Sequence, residues 1–365
     1  MAVFDVVFEG GGAKGSAFVG ALTALLEQGH TIRRMVGTSA GAITAALLAA
    51  GYSPAEMLTA VNEKQNGVPR FAGFMDRPRG SDFSEQQREN SETMRALRTI
   101  HVPMIADSVL LNLLLSSPIY PQLFSFVECG GFFAGSAFVA WLTEKLAAKG
   151  VSAADTLSTL FAKKQVDLSV AASDTTDTEM LILNHRTAPD VPVVWAVRMS
   201  MSIPFVWREV VWQESWGLYR GSAKTGNIIV DGGVLSNFPI RLIAEPVPEI
   251  MGDTDPFAAL NLGLLLDEKL AIPGTSPTVP PKPLDQLRVV QRIVRLMDTM
   301  MGAQDNDQMR SRASEICRLP VKGYGTTEFN MSDERLAALV AGGRDALLAH
   351  LRQRNLAGDP AQAGG

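Results

Sequence analysis

The chain has 365 residues, of which 46% are apolar, 7% aromatic and 19% charged. That composition supports a large core and excludes a disordered chain or a small disulfide scaffold. Thirty-three basic against 38 acidic residues leave a formal charge of −5, so a nucleic-acid partner is not expected. The two cysteines, Cys129 and Cys317, lack metal-ligand spacing and read as buried thiols in a reducing cytosol.

Residues 1–9 carry no basic stretch of the kind that opens a secretory signal. Val3 to Phe8 is a β-rich run that stops at Glu9-Gly10-Gly11-Gly12. A helical pattern follows from Gly15 to Gln28, with Phe18, Ala21, Leu22, Leu25 and Leu26 on one face. Arg33 to Val36 reads as a buried strand stopping at Gly37, and an Ala-rich helix from Ala40 to Ala50 ends at Gly51. This succession predicts βαβα units and a parallel sheet.

Pro54 opens a third helix, and residues 65–100 read as a long, charged loop. Within the apolar segment 102–127, the greasiest stretch, Val109 to Leu115, followed by Pro118, Tyr120 and Pro121, is too short and too interrupted by proline to span a bilayer, which takes about 20 apolar residues. Helices are predicted over 136–149 and 153–163, strands over 166–172, 180–183 and 227–230, and a core strand over 258–266. A Pro-rich linker at 273–283 precedes amphipathic helices over 284–301 and 332–352. The last dozen residues read as a frayed tail.

Two glycine turns at strand ends carry chemistry. Gly37-Thr38-Ser39-Ala40-Gly41 is a G-x-S-x-G between strand and helix, the nucleophile elbow, which presents Ser39 at a helix N-terminus. Gly10-Gly11-Gly12-Ala13-Lys14-Gly15 satisfies a dinucleotide fingerprint, but the second strand ends without the acidic residue such a site needs. The same turn fails the Walker pattern, since Lys14 comes too early and Gly15 follows it. Bare amides at a helix start suit an oxyanion hole instead. Lys14 has three readings: a brace for the loop, a contact for a ligand phosphate, or a solvated lysine.

A serine nucleophile needs a base. None of His30, His101, His185 and His350 sits in a catalytic context. Asp231 ends a strand before Gly232-Gly233; such an aspartate is often a turn former, but beside an elbow serine and a glycine loop it becomes the candidate base.

These three elements, in this order, resemble the patatin-like phospholipase family, with its G-G-G-x-[KR]-G loop, G-x-S-x-G elbow and D-G-[GA]. Gly130 to Phe133, Ser173-Asp174-Thr175 and Arg198 to Pro204 echo its other blocks, and the likeness spans roughly residues 3–250. Glu9 departs from the usual residue before the glycines. The resemblance implies a three-layer αβα sandwich with a mostly parallel central sheet, as one catalytic domain over residues 1–352. Residues 65–128 would form a variable insert shaping a lid and acyl pocket, and residues 353–365 a tail. It implies a dyad of Ser39 and Asp231, an oxyanion hole from Gly10, Gly11, Gly12 and Lys14, and motif glycines at 15, 37, 41, 232 and 233. No metal or other cofactor is implied, and calcium is not expected to be required.

The expected activity is hydrolysis of lipid acyl esters through an acyl-serine. The alternatives are a soluble carboxylesterase or thioesterase on the same fold, and a nucleotide-binding module using Gly10–Gly15. A cytoplasmic protein that visits membranes is expected. Its apolar run, Val109 to Leu115 with Ile119, Leu123, Phe124 and Phe126, reads either as lid and acyl tunnel or as a core helix.

Overall fold

The computed structural model describes residues 1–100, 107–252, 259–275, 311–326 and 328–356, together with 292, 295, 296 and 299. Most of the expected Pro-rich linker and of the helix at 284–301, His101 and residues 357–365 of the tail lie outside the described residues.

An eight-stranded sheet forms the centre. Its strands are β1 (Val3–Phe8), β2 (Thr31–Thr38), β3 (Asp167–Asp174), β4 (Glu179–Leu183), β5 (Val210–Val211), β6 (Ile228–Asp231), β7 (Leu260–Asp267) and β8 (Ile316–Pro320). The order is β8-β7-β1-β2-β3-β6-β5, with β4 pairing β3. From β8 to β3 all neighbours are parallel, while β4, β5 and β6 pair antiparallel. The main helices are α1 (Ser16–Glu27), α2 (Ala40–Ala50), α3 (Pro54–Val61), α4 (Asp107–Leu115), α5 (Tyr120–Cys129), α6 (Ser136–Ala148), α7 (Leu157–Lys164), α8 (Val193–Ser200) and α9 (Asp333–Gln353).

Parallel strands need cover on both faces, and β1 shows how the pleat divides it. Phe4, Val6 and Phe8 enter the large core with α1 and α2, whereas Val7 points the other way with Val36, Leu265 and Phe238. The second face is covered by the chain from Phe238 to Met251, including two short helices, Arg241–Ala244 and Pro248–Met251. The result is the expected three-layer arrangement in one domain.

The predicted elements recur with small boundary changes, and two regions differ. Residues 65–100 are not one loop: Ser84 caps a short helix, Glu85–Glu89, through a capping box with Gln87, and Glu92–Ile100 is helical. The apolar segment forms α4 and α5, bent by 111° across the break between them. Among the described residues no single helix is long and apolar enough to cross a membrane.

Register brings distant residues together. Phe8 pairs with Gly37, Thr38 with Ala171, and Ala172 with Asp231. One row across the sheet thus joins the ends of β1, β2 and β6. The glycine loop, Ser39 and Asp231 emerge from that row at the carboxyl ends of the parallel strands, where open α/β sheets bind ligands.

Candidate active site

The turn from β2 into α2 is set by close backbone approach. A Cβ on Gly37 would run into the Gly41 carbonyl, and one on Gly41 into the Phe8 carbonyl. Ser39 between them holds φ 52° and ψ −118°, a conformation that L-residues rarely adopt. It is over-determined by its neighbours: its amide donates to Ser200 Oγ at 2.9 Å, and its carbonyl accepts from Ala42 and Ile43 at 2.9 and 3.2 Å. The hydroxyl sits buried at the N-terminus of α2.

Asp231 is the last residue of β6 and is fully enclosed. Its amide donates to the Ser202 carbonyl at 2.9 Å, and its Oδ1 accepts from the Gly233 amide at 2.8 Å. Burial pushes its pKa up to about 7, against the lowering pull of the Gly233 amide and the Ser39 hydroxyl. Oδ2 has no well-aligned hydrogen-bond partner among the described residues, so serine and carboxylate face each other without a closed bond. Such contacts commonly tighten only when substrate binds.

The glycine loop divides its amides. Gly10 donates to the Asn237 carbonyl at 3.1 Å, Ala13 to the Thr326 carbonyl at 2.9 Å and Lys14 to the Gly11 carbonyl at 3.2 Å. The Gly10 and Lys14 amides, both expected among the oxyanion donors, are therefore engaged within the protein. The amides of Gly11 and Gly12 have no hydrogen-bond partner among the described residues. Gly12 holds φ +56°, and a Cβ there would meet the Thr326 carbonyl. Asn237 braces the loop, donating from Nδ2 to the Gly10 carbonyl at 3.0 Å and to Glu9 Oε1 at 3.2 Å. Glu9 in turn accepts from the Leu266 amide at 2.6 Å, so this departure from the family pattern ties the loop to β7. Lys14 is not solvated: its side chain is buried and paired with Glu268.

Several residues that shape the site were not singled out individually from sequence. Ser200 and Ser202 hold the backbones of Ser39 and Asp231, and both lie in the block from Arg198 to Pro204. Arg198 stiffens that block, bonding Ser202 Oγ and the carbonyls of Ala134 and Arg208, the latter two at 3.2 and 2.9 Å. Burial lowers its pKa to about 10, while the Asp76 carboxylate pulls it up. Thr326 carries no signal in the sequence, since its carbonyl does the work. The described histidines are engaged elsewhere: His30 with the Ala2 amide and the Leu356 carbonyl, His185 stacked on Phe161, and His350 buried in α9. Asp174, Asp177 and Glu179 gather carboxylates as a metal site would, but the Lys224 ammonium sits among them, 2.7 Å from Asp177.

A pocket opens beside Ser39, lined by Ile43, Phe71, Phe74, Ile203, Trp207 and Phe329 among others. Among the described residues of 65–128 it takes only Phe71 and Phe74. The run read as lid and acyl tunnel or as a core helix divides: Leu111, Leu115 and Phe124 form a small cluster with Phe83 and Met94, while Phe126 packs against the main core. Val109, Leu113, Ile119 and Leu123 are exposed.

Fold and site together define an αβα protein with a serine on a strained elbow, a buried aspartate opposite it and two unpartnered loop amides alongside. Residues 6–244 match the family model described as patatin-like phospholipase, and the chain belongs to that family. It is 28% identical over 359 residues to an uncharacterized protein, YqhO, of Bacillus subtilis, covering 96% of this chain and 98% of that one. It is 23% identical over 237 residues to a probable lipid hydrolase, 463L, of Invertebrate iridescent virus 6, covering 65% of this chain and 62% of that one. Among solved structures, VipD from Legionella pneumophila aligns with a TM-score of 0.47 at 19% identity, over 96% of this chain and 67% of that one. The type III effector ExoU of Pseudomonas aeruginosa aligns with a TM-score of 0.41 at 19% identity, over 97% and 53%.

Proposed function

We propose that this protein hydrolyses fatty-acyl esters of lipids, with Ser39 as nucleophile, Asp231 as base and the Gly11 and Gly12 amides as oxyanion donors. The observation that carries the reading is the Asp231 carboxylate, buried, raised to about 7 and facing the elbow serine. Free aspartate, with a pKa of about 3.9, is a poor base for a hydroxyl; burial makes this one stronger. The apolar pocket beside Ser39 favours an acyl chain over a polar acyl group.

In this reading Ser39 Oγ attacks the ester carbonyl carbon as its proton passes to Asp231. The carbonyl oxygen, now negative, accepts from the two loop amides. Collapse breaks the bond to the alcohol, which leaves with the proton from Asp231. Water then attacks the acyl-serine and gives a proton to Asp231, and the second collapse returns that proton to Ser39 Oγ and frees the fatty acid.

A soluble ester or thioester as substrate is the second reading, separated by comparing p-nitrophenyl esters of increasing chain length with phospholipid vesicles. The nucleotide-binding reading loses support, because Gly10, Ala13 and Lys14 have already committed their amides. The deciding experiment is labelling with a fluorophosphonate probe, expected for the wild type and absent in the Ser39→Ala protein. Turnover of Asp231→Asn is expected to fall by about 10⁴-fold, by analogy with loss of the acid from a catalytic triad. Labelling of Ser39→Ala, or full turnover by Asp231→Asn, would remove the dyad.

A further inference from the structure

The pocket beside Ser39 does not end at Phe71 and Phe329. A second pocket shares Gly12, Ala40, Ile43, Phe71 and Phe329 with it and continues between α1 and α2 towards α3. Along α2 its wall is Ala40, Ile43, Thr44 and Leu47, one helical face that rises about 10 Å. Ser16 and Val19 of α1 stand opposite, and Met57 and Val61 of α3 close the far side. The two hydroxyls in the wall are satisfied within their own turns, Ser16 Oγ by the Ala13 carbonyl at 3.2 Å and Thr44 Oγ1 by the Ala40 carbonyl at 3.1 Å. Charge appears at the rim, where Lys64 and Asp333 pair at 3.0 Å.

The roof comes from another part of the chain. Phe329, Met331 and Leu336 cover the groove, and all lie beyond residue 244, where the family match ends. Their segment is bolted in place. Glu328, itself buried, accepts from Arg335 at 2.7 and 3.0 Å and from the Gly325 amide at 3.0 Å. Arg335 also donates to the Gly323 carbonyl at 2.9 Å and lies over the Tyr324 ring at 4.3 Å. The Thr326 carbonyl ties the same segment to the glycine loop through Ala13.

We propose that this roofed groove is the acyl subsite: it takes one unbranched fatty-acyl chain, with the ester at Ser39 and the methyl end towards Leu47 and Met57. The carboxy-terminal roof then sets the chain length the enzyme accepts. The proposal rests on the hydrolase reading for its position at Ser39, but the binding of a chain can be tested without turnover. Met331 is suited to the test because it is only half-buried and lies away from the reacting atoms.

Two measurements are paired. The first is kcat/KM for p-nitrophenyl acetate, octanoate and palmitate with wild type, Met331→Trp, Met331→Ala and Leu47→Phe. The second is binding of a fluorescent long-chain fatty acid to the Ser39→Ala protein, with and without Met331→Trp. Filling the groove with Met331→Trp or Leu47→Phe should cut the long-chain ester by about tenfold or more and leave the acetate within about twofold. Met331→Ala should move preference towards longer chains, and Met331→Trp should weaken fatty-acid binding by about tenfold. If short and long esters change in step, or the fatty acid does not bind, the subsite is wrong. If no ester is cleaved but the fatty acid binds and Met331→Trp weakens it, the subsite stands and the hydrolase reading fails.

Discussion

At Asp231, function and stability pull in opposite directions. In the proposed dyad its carboxyl must lose a proton before it can take one from Ser39, so activity should fall as pH drops through about 7 and level off above it. A kcat/KM profile of the wild type on a soluble ester is expected to show that acid limb; a profile flat down to pH 5 would mean another group is the base. The same displacement, from 3.8 to about 7, corresponds to roughly 4 kcal/mol of folding free energy at most. Below 3.8 the group is neutral in folded and unfolded chains and costs nothing. Between 3.8 and 7 only the folded chain holds the proton, so stability declines as pH rises, and above 7 the cost is complete. Asp231→Asn should therefore raise the melting temperature at pH 8, and by less at pH 5. Ser39 carries a second cost in its backbone. Glycine tolerates φ 52° without a clash, so the Ser39→Gly protein should melt above the Ser39→Ala protein, by about 1 kcal/mol in stability. An equal or reversed order would place the strain elsewhere.

Elements bear out the chain-order reading where a local rule decides and depart from it where tertiary contact does. The elbow, the glycine loop and the aspartate turn could be read directly, because G-x-S-x-G and runs of glycine state a backbone requirement in the letters themselves. Thr326 and Asn237 could not, since they act through carbonyls or across the sheet, and no residue type announces that. Of the two short helices in residues 85–100, Glu85–Glu89 has no apolar residue and only the cap at Ser84 betrays it, whereas Glu92–Ile100 carries Met94, Leu97 and Ile100 at helical spacing, a signal masked by the charged residues between them. The crossing of α1 and α9 shows the same limit. Glycines within a helix cost about 1 kcal/mol each, so Gly343 looks like a weakness in α9. Its backbone in fact lies against α1: a Cβ on Gly343 would meet the Ala17 carbonyl, and one on Gly20 would meet the Val340 carbonyl. On an exposed helix, Gly→Ala would stabilise by about 1 kcal/mol. Here Gly343→Ala should destabilise by about 1–3 kcal/mol in urea denaturation, the range for overpacking. Stabilisation by this change would mean that the two helices do not approach so closely.

Across the whole molecule, the row that carries Ser39 and Asp231 and the exposed apolar surface sit on different parts of the chain. Val109 and Leu113 are one turn apart on α4, and Leu123 and Val127 one turn apart on α5, each exposed by 45% or more. Ile119, in the bend between the helices, is exposed as well. Arg77, Arg79 and Arg88 line a groove beside this surface with Asp76, Ser116 and Ser117, which leaves it a net positive charge. We propose that this face meets a lipid surface, its apolar side chains entering the acyl boundary and its arginines meeting headgroups. Vesicles containing anionic phospholipid should therefore sediment the Ser39→Ala protein. Leu113→Asp with Leu123→Asp should reduce the bound fraction by about tenfold or more, since each removes a buried apolar side chain worth roughly 1.5–3 kcal/mol and adds a charge. The same pair of changes in the active protein should leave cleavage of p-nitrophenyl acetate within about twofold while turnover of vesicle phospholipid falls. Sedimentation that ignores the double change would move the contact to another face, and equal loss on both substrates would show that α4 and α5 support the fold of the site.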